Sequence, residues 1–172
     1  MFGRIIVATD LTDATRASLR VACELRHSQG EILLVHVIRP IEGVSEGELG
    51  GFFDRLRADA AARMRDLSSW FARERHIDIP CLVAMGDPAR EIDRIARKRE
   101  ADLIVVSHGV PPAPLGSVSY KLAHLAPCAM LMLQAPTRAG EPTRSKAARR
   151  AGTGRRKASP AASRAGGRVA QS

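Results

Sequence analysis

The sequence predicts an α/β domain with a five-stranded parallel sheet and helices on both faces, followed by a disordered basic tail. Short β-branched apolar runs alternate with amphipathic segments over residues 1–135. Such alternation is typical of a parallel sheet whose two faces are covered by helices. The basic residues that give the chain its net charge lie almost entirely after residue 135. We therefore predict a folded domain over 1–135 and a tail over 136–172.

Five apolar runs have the length and the β-branched content of buried strands. Because both faces of a central parallel strand are covered, such strands are nearly continuously hydrophobic. The predicted strands cover residues 4–10, 31–38, 78–85, 102–108 and 128–133.

The segments between the runs have helical periodicity. The first helix has Ala14, Ala17, Val21 and Leu25 on its inward face, and Thr12 or Asp13 precedes it as a cap. The second has a longer inward stripe of Leu49, Phe52, Phe53, Leu56, Ala60, Leu67 and Phe71, with Trp70 half exposed.

The last two helices have recognisable starts. Asp87 followed by Pro88 predicts an N-cap and a first-turn proline, and Ile92, Ile95 and Ala96 form the buried side of that third helix. The fourth begins at Gly116 and Ser117 and ends before Pro127, with Val118, Leu122 and Leu125 inward.

The charge of the chain is concentrated in its last part. Of 27 Lys and Arg residues, 17 lie in residues 1–135, where 17 Asp and Glu residues balance them. The remaining ten basic residues and one acid, Glu141, lie in 136–172 and give the formal net charge of +9. This segment has too few large apolar residues to offset the entropy of ordering it, which predicts disorder.

The sequence contains no apolar stretch of membrane-spanning length and no secretory signal pattern. We therefore expect a cytoplasmic protein with no membrane partner. Its three cysteines, Cys23, Cys81 and Cys128, are far apart beside aliphatic residues, a pattern typical of reduced core thiols. No metal-ligand cluster and no nucleophile with a neighbouring base is apparent, so we predict neither a metal site nor catalytic residues.

Ligands of parallel α/β sheets bind outside the carboxyl ends of the strands. Asp10 ends the first predicted strand, where its carboxylate could accept hydrogen bonds from a ribose or a base amine, could hold a metal, or could cap the following turn or helix. His36 lies inside an apolar strand and is interpreted as a hydrogen-bonded core residue. Gly116 and Ser117 open a helix, where they could bind an anion or where Ser117 could cap the helix.

Five segments together resemble the universal stress protein family, and the resemblance covers residues 3–134. The segments are RIIVATDLTDATRASL, EILLVHVI, GDPAREI, ADLIVVSHG and LGSVSYKLAHLAPCAMLML. The resemblance implies a sheet in the order 3-2-1-4-5 and a homodimer that pairs through the fifth strand, here residues 128–133. Some members of the family bind ATP and others do not.

ATP-binding members carry a phosphate loop of the form G-x2-G-x9-G-[ST], and this chain departs from it. The matching positions are Val106, Gly109, Gly116 and Ser117. Val106 replaces a glycine, and only six residues separate Gly109 from Gly116. Three of those six are prolines, which have no N–H to donate to a phosphate.

The adenosine half of the family's site is better preserved. The resemblance implies a nucleotide site formed by Ala8, Thr9, Asp10, Val37, Gly109, Gly116, Ser117 and Val118. We therefore predict a dimeric, non-catalytic binding and regulatory module with a degenerate nucleotide loop. One alternative is an ATP-binding, Mg-dependent protein with slow hydrolysis. Another is a nucleic-acid-associated protein that binds DNA or RNA non-specifically through residues 136–172.

Overall fold

A computed structural model of the chain describes residues 1–40, 46–108 and 116–134. Strands and helices alternate through these residues. In chain order they are β1 (Phe2–Thr9), α1 (Ala14–Leu25), β2 (Arg26–Ile38), α2 (Glu46–Arg75), β3 (Cys81–Met85), α3 (Pro88–Lys98), β4 (Leu103–His108), α4 (Ser117–Leu125) and β5 (Ala129–Gln134).

The five strands form one parallel sheet in the order β3-β2-β1-β4-β5, which confirms the predicted topology. The central strand β1 pairs with β2 on one side and β4 on the other. The pairing sets Thr9 opposite His36 and Ala8 opposite both Val35 and Val106. The carboxyl ends of these three strands therefore meet at one edge of the sheet.

Two hydrophobic clusters lie on opposite faces of the sheet. One joins Ile5, Val7 and Leu34 to Leu19 of α1 and Phe71 of α2. The other joins strand residues to α3 and α4, and it contains Ile6, Ala8, Val35, Val106, Ile92, Ile95 and Leu122. Helices therefore cover both faces, as predicted, with α1 and α2 on one side and α3 and α4 on the other.

The buried face of α1 differs from the predicted one. Its buried residues are Thr15, Ser18, Leu19 and Ala22, whereas Ala14, Ala17, Val21 and Leu25 flank them and are half-buried. Two polar residues are buried there because each has a partner: Thr15 bonds Thr9, and the Ser18 hydroxyl donates to the Ala14 carbonyl at 3.3 Å. The predicted side-chain cap is also absent, since Asp13 occupies the N-cap position without a side-chain capping bond.

The inward stripe of α2 is narrower than predicted. Phe53, Ala60, Met64 and Phe71 are buried, and they recur at a helical spacing. Phe52 is 44% exposed, because it lies one residue, or about 100° around the helix, from the buried Phe53. Leu56 is 36% exposed. Similarly, Leu125 of α4 is 39% exposed rather than inward. The side chain of Leu49 lies outside the described part of the structure.

Strand β2 begins five residues earlier than predicted, directly after α1. Its polar first part pairs through Phe2 and Arg26 with an irregular register. A side chain at Gly30 would lie 2.9 Å from the carbonyl oxygens of Phe2 and Gly3, so this close approach requires glycine. The apolar pattern that predicted the strand is absent from this extension.

The predicted two-sided burial is wrong for the outer strands. All five residues of β3 are half-buried, and Met132 of β5 is 41% exposed. Both strands lie at edges of the sheet, where only one neighbour covers them.

No helix among the described residues is long and apolar enough to cross a membrane. The tail over 136–172 lies outside the described residues, so the proposed domain division, the disorder of the tail and its binding of nucleic acid stay predictions.

Candidate functional site

A cleft of about 380 Å³ lies at the carboxyl ends of β1, β2 and β4, beside the first turn of α4. Seven of the eight predicted site residues line it: Ala8, Thr9, Asp10, Val37, Gly116, Ser117 and Val118. The eighth, Gly109, lies outside the described residues. Pro88, Ile92 and Val106, which were not among the predicted residues, also line it. The structure thus brings residues from distant parts of the sequence together around one concave surface.

One end of the cleft consists of strand residues with small or branched side chains. Ala8 and Val35 belong to the buried cluster beneath α3, and Val37 packs against that cluster. Their positions are fixed by the ladder of β1 and β2. This end therefore presents an apolar surface that is held by the sheet itself.

The turn after β1 is held by Thr9. Its hydroxyl oxygen accepts a hydrogen bond from the Leu11 N–H at 2.8 Å and lies 2.5 Å from the Thr15 hydroxyl oxygen. Leu11 has a φ of 62°, a conformation that is costly for residues other than glycine. The buried hydroxyl pair therefore stabilises the bend that brings Asp10 to the rim of the cleft.

Asp10 is exposed at this rim. Its Oδ1 accepts from the Thr12 N–H at 3.0 Å and from the Thr12 hydroxyl at 2.7 Å. The carboxylate therefore holds a turn and does not cap α1, while no bond to Oδ2 is found in the described part of the chain. That second oxygen has lone pairs for a ligand.

His36 is bonded to the backbone. Its Nδ1 lies 2.8 Å from the Thr9 carbonyl oxygen, which only accepts, so Nδ1 carries the proton. The predicted hydrogen bond of His36 is therefore present, but the residue is half-buried and lines the cleft instead of lying in the core. The bond joins the ends of β1 and β2 next to the cleft.

The other end of the cleft is the start of α4. Gly116 is the N-cap in an extended conformation with no side-chain capping bond, and Ser117 is the first, exposed helical residue. The capping interpretation of Ser117 is therefore wrong. The first intrahelical bond runs from the Tyr120 N–H to the Gly116 carbonyl at 2.9 Å, so the N–H groups of the first turn lack helical acceptors.

A polar contact joins α3 to α4 near this end. Oδ1 of Asp87 accepts from the N–H groups of Ala89 and Arg90, as predicted for an N-cap, and its Oδ2 accepts from Lys121 at 3.0 Å. The Lys121 bond and these backbone bonds lower the pKa of Asp87. The contact with Lys121 was missed because periodicity identifies inward residues and carries no signal for a polar pair between helices.

The cleft combines an apolar surface, one carboxylate and the backbone N–H groups at the start of α4. Asp10 is the carboxylate among the lining residues that the structure describes. No group of three or more His, Cys, Asp or Glu side chains in the described ranges is arranged to hold a metal ion. The three cysteines are unpaired and half-buried, and burial raises the pKa of each thiol.

The 3-2-1-4-5 sheet, with a cleft at its carboxyl edge beside a helix start, defines a doubly wound α/β protein. The model of the universal stress protein family matches residues 1–134, and the chain belongs to this family.

Two curated relatives match over nearly their whole length. Universal stress protein YxiE of Bacillus subtilis is 29% identical over 149 residues, which cover 78% of this chain and 100% of YxiE. Universal stress protein Sll1388 of Synechocystis is 24% identical and covers 77% of this chain and 98% of its own. The solved universal stress protein UspA of Lactobacillus plantarum has a TM-score of 0.67 at 23% identity, with 76% of this chain and 97% of that chain covered.

Proposed function

We propose that the protein is a regulatory binding module whose cleft takes an adenine nucleotide mainly through its nucleoside. The observation that carries the proposal is the strand-built end of the cleft, where Ala8 and Val37 offer an apolar surface beside the carboxylate of Asp10. An adenine ring fits the apolar surface, and a carboxylate accepts hydrogen bonds from ribose hydroxyls.

The helix end of the cleft suits one phosphate. The uncapped first turn of α4 offers backbone N–H groups, and the helix dipole favours an anion there. The segment between Gly109 and Gly116 has three prolines among its six residues, so it offers few donors to further phosphates. In ATP-binding members of the family a longer glycine-containing loop serves this purpose.

Two solved structures with this fold carry such ligands. One is a universal stress protein in complex with cAMP, with a TM-score of 0.59 at 18% identity. The other is a family protein from Arabidopsis thaliana with AMP bound, with a TM-score of 0.52 at 21% identity. In both ligands the adenosine carries a single phosphate, the part for which this cleft has matching groups.

Each missing charge-assisted bond to phosphate is worth about 1.5 to 3 kcal/mol. Losing two of them weakens a micromolar site to a dissociation constant of about 10⁻⁴ M or more. One carboxylate lines the described cleft, and Mg²⁺ is usually held by one or two carboxylates together with phosphates. Such a site also needs further phosphates held beside Asp10, and the proline-rich loop offers few donors to hold them, so we expect Mg²⁺ to add little.

Isothermal titration calorimetry of the full chain with AMP tests the nucleoside contact. We expect Asp10→Ala to weaken AMP binding about tenfold, since a hydrogen bond to a charged group is lost. The control is Asp13→Ala in the same turn, whose residue does not line the cleft. Equal AMP affinity in wild type and Asp10→Ala would contradict the proposal.

We further propose that the protein is a homodimer through β5, because an edge strand with an apolar sequence invites pairing with its copy. Met132 is exposed at this edge. Light scattering at tens of micromolar should give a dimer for wild type and a monomer for Met132→Lys. A monomeric wild type would contradict this proposal without affecting the nucleotide site.

A further inference from the structure

The second edge of the sheet, β3, has backbone groups that point away from the sheet. The Leu34 N–H donates to the Pro80 carbonyl at 2.9 Å, and the Gly86 N–H donates to the Ile38 carbonyl at 3.0 Å. Pro80 and Gly86 therefore direct these groups toward β2. Since successive residues of a strand alternate in direction, Cys81, Val83 and Met85 direct their N–H and C=O groups outward. Among the described strands β3 has β2 as its one neighbour, so these outward groups face no strand.

An open groove of about 570 Å³ runs between this edge and α2. Its strand side is formed by Ile79, Cys81 and Val83, and its helix side by Arg57, Ala61, Arg65, Ser68 and Ser69. The helix residues recur at spacings of three or four, so they form one stripe along α2. An extended chain laid against β3 would therefore present alternate side chains to this stripe.

Two arginines lie at opposite ends of the groove. Nη2 of Arg57 is 3.8 Å from the Met85 sulfur, and Arg65 is close enough to the Cys81 thiol to oppose the rise that burial causes in its pKa. Neither guanidinium forms an ion pair with another described residue. Asp78 is the carboxylate among the described lining residues, so two positive charges face one negative charge.

The distance between the two arginines along α2 matches the length of four residues in a strand. Arg65 follows Arg57 by eight positions along the helix, a rise of about 12 Å at about 1.5 Å per residue. Four residues of a strand span about 13 Å. Side chains four residues apart on an added strand lie on one face, so both could meet an arginine.

We propose that the β3 edge binds an extended acidic segment of a partner protein as a sixth strand. Two acidic side chains four residues apart pair with Arg57 and Arg65, while backbone bonds form with Cys81, Val83 and Met85. The chain's own segment 136–172 carries ten basic residues and one acid, so the two arginines of the groove would repel it. A second copy paired edge to edge would bring like-charged arginines together.

Fluorescence anisotropy with the full chain tests this proposal. The probe is a labelled ten-residue peptide of Thr and Val with Glu at positions 3 and 7, and the comparison peptide has the same composition with Glu at positions 3 and 6. Glu residues three apart lie on opposite faces of a strand. We expect saturable, salt-sensitive binding of the first peptide and at least about fivefold weaker binding of the second.

Protein variants separate the edge from general charge. Arg57→Gln with Arg65→Gln should weaken the first peptide about five- to thirtyfold, since exposed ion pairs contribute up to about 1 kcal/mol each. Arg55→Gln with Arg73→Gln makes the same charge change on α2 outside the groove and should leave affinity unchanged. Circular dichroism of both double variants checks that they fold.

A peptide with two consecutive central N-methyl groups tests the backbone bonds without changing the protein. Because successive N–H groups of a strand point to opposite sides, one of the two methylated groups would face β3 in any register. Binding should therefore be lost. Undiminished binding of the methylated peptide, or equal binding of the two Glu spacings, would overturn the proposal. It would equally be overturned if the peptide dissociated a dimer that depends on Arg57 and Arg65, because a second copy would then occupy the edge.

Discussion

The two ends of the cleft are built from different kinds of structure. The strand-built end, where we propose that the nucleoside binds, consists of residues such as Ala8 and Val35, which belong to the buried cluster beneath α3. The helix end, where we propose that a phosphate binds, consists of Gly116 and Ser117, which are exposed at the start of a short helix. A change at the first end disturbs the core, whereas a change at the second is tolerated. Under the proposed function, this difference explains how the nucleoside contacts are kept while the loop that would hold phosphates departs from the family's pattern.

Val106 lies opposite Ala8 in the sheet, and its replacement has the largest expected effect. It is 4% exposed and lines the cleft, although the ATP-binding pattern has glycine there. Val106→Gly should lower the free energy of unfolding by about 2 to 4 kcal/mol through a cavity and a strand glycine. We expect no gain in ATP affinity, because the loop stays short and rich in proline.

Urea denaturation and calorimetry measure the two effects separately. Val105→Gly is the matched control, since this neighbour is fully buried against the opposite helices. It should cost similar stability. A gain in ATP affinity in Val106→Gly alone would mean that this side chain, and not the loop, limits phosphate binding.

Thr9→Val tests the support of the strand-built end. The substitution keeps the volume but leaves the Leu11 N–H without its acceptor at a backbone position with φ of 62°. We expect a loss of about 1 to 3 kcal/mol in the free energy of unfolding, the cost of an unpaired polar group. The exposed bond of Thr12 to Asp10 provides the control, and Thr12→Val should cost less. Equal losses would indicate that burial of the Thr9 hydroxyl is unimportant.

The helix end has a pH-dependent support. The bond from Lys121 and the backbone bonds lower the pKa of Asp87 in the folded protein below its unfolded value. The stability that Asp87 contributes is therefore present above the unfolded pKa and is lost as the pH falls through the folded pKa. Asp87→Ala should cost about 1 kcal/mol near pH 7, as is typical for an N-cap, and progressively less below about pH 4. Denaturation at both pH values measures it. A constant cost would contradict the assignment to the ionised carboxylate.

Ser117→Ala has the smallest expected effect. The hydroxyl is exposed and makes no capping bond, and backbone N–H groups remain in the variant. We expect AMP affinity to change by less than about twofold, which is less than the loss of even a weak net hydrogen bond would cause. Calorimetry beside Asp10→Ala gives the comparison. A loss as large as that of Asp10→Ala would show that both ends contribute equally.

Periodicity predicted a parallel sheet with helices on both faces, and the rule that ligands bind at the carboxyl ends of strands directed attention to Asp10, Gly116 and Ser117. The strand order and the full set of eight site residues came from the family resemblance. Helical periodicity failed where polar side chains share the buried face of a helix with apolar ones. Ser18 and Thr15 are buried through hydrogen bonds that periodicity does not encode. Phe52 is exposed because a single helical step separates it from the buried Phe53.

The polar contacts of the site were less predictable than its apolar floor. The N-cap role of Asp87 follows from its place before Pro88, but its bond to Lys121 depends on how α3 packs against α4. The bond between His36 and the Thr9 carbonyl likewise depends on strand register. Such contacts require the three-dimensional structure, because sequence distance gives no information about them.

The ratio of AMP to Mg-ATP affinity tests the central claim most directly. Calorimetry of the full wild-type chain should give dissociation constants for the two ligands within about threefold of each other, because phosphates beyond the first gain few donors. Two charge-assisted bonds to those phosphates would tighten ATP binding by at least about a hundredfold. Micromolar ATP binding that is a hundredfold tighter than AMP binding would contradict the account and support an ATP-binding protein.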